Sequence, residues 1–149
     1  MKQRGFTLIE LIVVLVILGI LAATAAPLFV NLKGDANKAV LQGVEASVRS
    51  ASTLVYAKAA VAGSTSCSAD GSVTVDTGIT VTTRCGYPKD MTEVLKVVTL
   101  QPAPDFITTT AGEIRLFKAT TAANCKVTYA AIDGTSVIAP AIGTDSSGC

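Results

Sequence analysis

Glu10 sits in the most telling chemical setting of this chain. It closes the stretch Gly5-Phe6-Thr7-Leu8-Ile9-Glu10, behind a basic leader that holds Lys2 and Arg4. After it come 22 residues, Leu11 to Leu32, without a single charge. An ionised carboxylate in hydrocarbon costs several kcal/mol, so a carboxylate kept there points to a job, most simply pairing with a cation. The other reactive side chains are Cys67, Cys85, Cys125 and Cys149, all in the C-terminal part. An even number behind an export-like segment reads as disulfides made in an oxidising compartment. Four cysteines allow three pairings. The sequential pairing would close loops of 17 and 23 intervening residues, each bond contributing about 3 kcal/mol. No C-x-x-C pair occurs, which argues against a zinc site.

The remaining inventory is poor in catalytic groups. The chain has no His, and paired cysteines cannot serve as nucleophiles. Asp133 and Asp145 lack EF-hand spacing and give only a faint echo of a calcium site. No Gly-rich phosphate loop is present. The sequence therefore predicts a protein that is not an enzyme, with no cofactor, metal or catalytic residue. Formal charge is +1, and without Lys2 and Arg4 it would be 10 basic against 11 acidic residues. Neither value suggests nucleic-acid binding through bulk charge.

These residues need elements to hold them. Leu11 to Leu32 as a helix is about 33 Å long, close to the ~30 Å hydrocarbon core of a bilayer. Three readings of the N-terminus compete. A secretory signal peptide would be cut after Ala23-Thr24-Ala25, but Glu10 would then lie inside its apolar core and the apolar run would outlast the cut. A plain anchor would keep the N-terminus cytoplasmic through Lys2 and Arg4, and it leaves Glu10 without a purpose.

The third reading rests on resemblance. Gly5-Phe6-Thr7-Leu8-Ile9-Glu10, the uncharged helix behind it, Gly19 and Pro27 in register resemble the type IV pilin family and its pseudopilin relatives. The resemblance implies cleavage between Gly5 and Phe6 by a prepilin peptidase and N-methylation of Phe6. It implies assembly through Phe6, Glu10, Gly19 and Pro27, with the Glu10 carboxylate pairing with the Phe6 amine of a neighbouring copy. In assembled filaments of the family the helix melts locally, here expected between Gly19 and Pro27; a simple bend at Pro27 is the other expectation. The implied partners are copies of the chain itself in a helical filament, an ATPase-driven assembly platform and a secretin. The implied location is the inner membrane for the precursor, then a cell-surface pilus. No receptor is legible.

The same pattern predicts the rest of the chain. Phe29, Leu32, Ala36, Val40, Val44, Val48, Ala51 and Val55 recur at three- to four-residue steps, with Lys33, Asp35, Lys38, Gln42, Glu45, Arg49 and Ser52 between them. This extends an amphipathic helix to about Ala62. Strands are expected at Ser72–Val75 and Ile79–Thr83 around an Asp76-Thr77-Gly78 turn, then at Glu113–Ala119, Cys125–Ala131 and Ser136–Ala139, in one antiparallel sheet. Gly86-Tyr87-Pro88 reads as a turn, Asp90 and Glu93 as a capping box for a helix over Met91–Val98, and Pro102-Ala103-Pro104-Asp105 as a break. The fold class is α+β. A long N-terminal spine, transmembrane in its first half, packs on an antiparallel sheet head, the ladle shape of type IV pilins. The predicted parts are a leader at 1–5, an apolar helix at 6–32 and a head at 33–149. Cys125 to Cys149 would match the family's C-terminal disulfide loop, and Cys67 with Cys85 would staple the segment between helix and sheet.

Ala25-Ala26-Pro27, Asp35-Ala36, Val55-Tyr56-Ala57-Lys58-Ala59, Gly86-Tyr87-Pro88 and Cys125-Lys126-Val127-Thr128-Tyr129 are similar to the mannose-sensitive haemagglutinin (MSHA) type IV pilins. The expected function is a structural subunit, the major pilin, of an extracellular pilus for adhesion and surface attachment. The alternative is a type II secretion pseudopilin forming a short periplasmic fibre. A third is a membrane-tethered binding module that never polymerises. Tyr87 and Tyr129 could stack on a sugar, though packed tyrosines fit their surroundings better.

Overall fold

The computed structural model describes residues 5–102, 105–108 and 111–149, and for residues 26–31 the backbone alone. Lys2, Arg4, Ala103 and Pro104, together with the side chains of Pro27 and Phe29, lie outside the described residues. The chain divides into two units, Met1–Ala36 and Asn37–Cys149.

One helix, α1 (Leu8–Val61), supplies most of the first unit and the spine of the second. It is helical through both Gly19 and Pro27. Its start and end lie close to the expected Phe6 and Ala62. In the first unit the apolar side chains have no protein around them: Leu8 is 74% and Ile20 63% exposed. The 18 residues Leu8–Ala25, with mean hydropathy 2.8, are long and apolar enough to cross a membrane. A helix that is apolar all round must be covered by lipid or by other helices.

The second unit is the α+β head. Two antiparallel sheets form where one was expected. The first holds β1 (Gly71–Asp76), β2 (Ile79–Arg84) and β3 (Tyr87–Pro88) in that order. The second holds β4 (Phe106–Ile107), β5 (Glu113–Leu116), β6 (Lys126–Tyr129) and β7 (Ile142–Asp145). Tyr87 and Pro88 are thus a strand rather than a turn. The reversal falls one step earlier, at Cys85 and Gly86, both at positive φ (53° and 85°). The expected strand at Ser136–Ala139 is irregular, because the Asp133 carboxylate captures the amides of Thr135, Ser136 and Val137 at 2.8–3.0 Å. The pairing strand is β7 instead. Its Ile-Gly-Thr-Asp sequence has too few apolar residues to show a period-two signal.

The short helix α2 runs only over Met91–Leu95. Asp90 caps it, accepting from Glu93 N at 3.1 Å. The reciprocal half of the box is not made. The Glu93 carboxylate turns to Thr82 N (2.6 Å) and Lys96 Nζ (2.7 Å), tying α2 to β2.

The apolar stripe of α1 builds the core. Leu41, Val44, Val48 and Ala51 pack with Met91 and Val94 of α2 and with Ile114, Leu116, Val127 and Tyr129 of the second sheet. Val55 packs on Val73 and Val81 of the first. Each fully buried aliphatic side chain of this kind contributes about 1.5–3 kcal/mol. The stripe is rotated slightly from expectation: Leu41 is buried and Val40 is 45% exposed, and Ser52, expected on the polar face, is 2% exposed.

Candidate processing and assembly site

The N-terminal residues are arranged around the start of α1. Gly5, Phe6 and Thr7 precede the helix and have no regular structure. Phe6 is 89% exposed, and no atom outside its chain neighbours comes within 4 Å of where a Gly5 Cβ would lie. Among the described residues, little covers Phe6 and nothing crowds Gly5.

Glu10 is held by Thr7. The Thr7 backbone N donates to Glu10 Oε2 at 2.9 Å and the Thr7 hydroxyl donates to the same oxygen at 2.8 Å. In return Glu10 N donates to Thr7 Oγ1 at 3.4 Å. This is a capping box: Thr7 is the N-cap, Glu10 is the third helical residue, and each satisfies an amide the helix start would leave open. The positive end of the helix dipole favours the carboxylate in the same place. Glu10 is thus presented at a fixed point, one helical turn from Phe6, instead of swinging free. Sequence reasoning missed Thr7. The signal was there, since Thr7-Leu8-Ile9-Glu10 before an apolar run is the T-x-x-E pattern.

The other expected assembly residues lie further along α1. Gly19 has no atom near enough to meet an added Cβ, and Pro27 lies in the helical backbone. Neither is brought to Glu10.

The cysteines form two bonds, Cys67–Cys85 and Cys125–Cys149. The first fastens the segment after α1 to the β2–β3 reversal. There Cys85 N donates to Ser66 O at 2.9 Å, and Asp70 accepts from Arg84 and Lys89, each at 2.6 Å. These two cations hold the Asp70 carboxyl below its usual range. Gly134 sits so close that a Cβ would run into the Cys67 carbonyl, which explains a glycine at positive φ there. The second bond fastens the C-terminal segment. Asn37 Nδ2 donates to Cys149 O at 3.0 Å, and Thr121 N to Gly148 O at 2.9 Å.

Neither sugar-stacking candidate presents a free ring. Tyr87 stacks on Tyr56 with centroids 4.4 Å apart. Tyr129 is 3% exposed, and its hydroxyl donates to Pro88 O at 2.7 Å, bridging the two sheets. Burial pushes that hydroxyl up to about 12. Asp133 and Asp145 do not converge on a cation. Backbone amides and the Ser136 hydroxyl hold Asp133 far below the usual carboxylate range, while Ser147 engages Asp145 through its backbone N and its hydroxyl. Among the described residues no group of three or more His, Cys, Asp or Glu could hold a metal ion.

Residues 1–26 match the family described as the prokaryotic N-terminal methylation motif. The chain carries this motif. Over 59 residues it is 49% identical to a type IV narrow pilus major component, PilA5, of Thermus thermophilus, covering 40% of this chain and 51% of that protein. Over 43 residues it is 54% identical to the type II secretion system core protein G of Klebsiella pneumoniae, 29% of each chain. The chain thus spans about half the length of the first relative and under a third of the second. No solved structure gives a significant match.

Proposed function

We propose that this protein is a filament subunit: a precursor held in the inner membrane by α1, cut between Gly5 and Phe6 by a prepilin peptidase, methylated on Phe6, and polymerised through its N-terminal helix into an extracellular type IV pilus. The observation that carries this reading is the Thr7–Glu10 box at the tip of α1, whose apolar stretch Leu8–Ala25 buries nothing in its own chain and bears the methylation motif. Cleavage creates a positive amine on Phe6, one residue before the cap. In a bundle of such helices, the Glu10 carboxylate of one copy is the group that can neutralise the Phe6 amine of the next. Leaving either charge buried alone would cost roughly 3–5 kcal/mol. Gly19 and Pro27 are proposed as the places where α1 adapts its backbone to neighbouring copies.

In this reading residues 1–5 are the leader, 6–32 the membrane and filament-core helix, and 33–149 the head. Export of the fibre requires an ATPase-driven platform and a secretin. The two disulfide-closed segments of the head favour the extracellular pilus, a major pilin of the MSHA kind used in adhesion. A second reading, a periplasmic pseudopilus, is favoured by the 43-residue likeness to the secretion core protein.

The test is intact mass and N-terminal sequence of protein sheared from cells. A chain that begins at N-methylated Phe6, in sedimentable filaments, supports the pilus. The same processed chain confined to the envelope transfers the reading to the pseudopilus. A soluble chain beginning at Ala26 overturns both.

A further inference from the structure

Four strands border the two sheets of the head: β1 and β3 in one, β4 and β7 in the other. β3 and β4 have two residues each, while β1 has six and β7 four. A long open edge offers its unpaired backbone groups to any second strand, and folded proteins guard such edges with cations, bulges or cover. In this head α1 reaches both longer edges with a cation.

On β7 the guard is Arg49. Ala141 O accepts from Ala130 N beyond the end of β6, at 3.0 Å. Successive residues of a strand alternate in direction, so the next carbonyl, Ile142 O, faces away from β6. Arg49 Nη2 fills it at 2.9 Å. Glu45 steadies the guanidinium through Nε and Nη2 at 2.9 and 2.7 Å. The other Glu45 oxygen accepts from the Thr144 hydroxyl at 2.6 Å, again on β7.

On β1 the guard is Lys58. The ladder with β2 pairs Thr74 with Thr80 and Asp76 with Ile79, leaving Val75 between them without a partner. Its carbonyl accepts from Lys58 Nζ at 2.8 Å. A bulge already bends an edge away from further pairing, and the cation occupies the acceptor the bulge sets free.

We propose that Arg49 and Lys58 are gatekeepers: from one helix they plug the β7 and β1 edges and prevent two copies of this head from pairing strand to strand. The inference rests on the sheet edges alone. In a filament it would let heads crowd together without fusing into a continuous sheet.

The test uses the full chain in detergent micelles with Arg49→Met and Lys58→Met combined, which removes both charges and keeps the aliphatic stems. The parent and the double variant are compared by sedimentation, melting and amide hydrogen exchange. The expected result is a melting temperature close to the parent's, self-association at about tenfold lower concentration, and new protection of amides confined to β1 and β7. The charge-conserving pair Arg49→Lys and Lys58→Arg restores the parent's behaviour. A folded double variant that associates no more than the parent overturns the proposal. So does association without new protection on β1 or β7, which would place the contact on α1. Should the double variant melt early, Lys58→Met alone carries the test: it is expected to associate with protection on β1 only, and a monomeric folded K58M overturns that guard. Filament yield does not enter the readout, so failure here and failure of the pilus reading remain separate.

Discussion

Two stretches of α1 make the instructive comparison. Leu8–Ala25 is apolar on every side and buries nothing within the protein. Leu41–Ala59 is apolar on one side, and Leu41, Val48, Val55 and Ala59 are each 0–1% exposed. The backbone is the same; what covers the side chains differs. The second stretch finds its partners in its own chain, through α2 and two sheets. The first leaves its partners to lipid and to other molecules. Stability of the head and assembly of the whole protein should therefore respond to different substitutions.

Glu10→Ala should separate them most sharply. We expect loss of sheared filaments on immunoblots, with the head's denaturation midpoint unmoved, because the hydrogen bonds of the box run between Thr7 and Glu10 themselves. Wild-type filament yield from this variant would remove the charge-pairing account. Ile114→Ala, at a position 0% exposed, should do the reverse. It is expected to destabilise the head by about 2–5 kcal/mol in denaturant titrations, whereas Ile12→Ala, 50% exposed, should leave those titrations unchanged. Replacing Cys125 and Cys149 together by Ser should cost the head about 3 kcal/mol by freeing the loop between them in the unfolded chain. Equal stability of the oxidised parent and this double variant would show that Asn37 and the Thr121 contact suffice to hold the C-terminal segment.

Smaller effects sharpen the head's own account. Tyr129→Phe removes the donor to Pro88 O and should cost about 1–2 kcal/mol. The pH profile gives an independent check. Tyr129 is neutral in the folded head up to about 12 but ionises near 10 when unfolded. Its contribution is complete below pH 10 and is lost as pH rises from there towards 12. Glu45, Asp70, Glu113, Asp133 and Asp145 are all lowered by their hydrogen bonds and cations. Their contributions are present above their unfolded values, 3.8 for Asp and 4.5 for Glu, and are lost as pH falls below them. The head should thus be most stable between about pH 5 and 10, measured by melting across that range.

The long helix was more legible than the head. Glu10 stood out because a charge inside an apolar run has few innocent explanations, and the roles given to Gly5, Phe6 and Glu10 are proposals. Thr7 was missed although its spacing to Glu10 is a capping pattern, because the carboxylate was read against the membrane and not against its own helix. The hairpin at Thr77-Gly78 was legible from its turn residues. The third strand and β7 were not, since Tyr87-Pro88 and Ile142-Gly143 carry turn chemistry or too little apolar pattern.

The sequence by itself determined where the long helix lies, which part of it is apolar on every side, and where a carboxylate stands at its tip. These follow from local pattern: hydropathy, period and spacing along one element. Tertiary structure alone decided that there are two sheets, that the cysteines join in sequential pairs, that Tyr129 bridges the sheets, and that Arg49 and Lys58 reach strand edges 93 and 17 residues away. Those choices rest on contacts between residues far apart in the chain, which no local pattern along one element records.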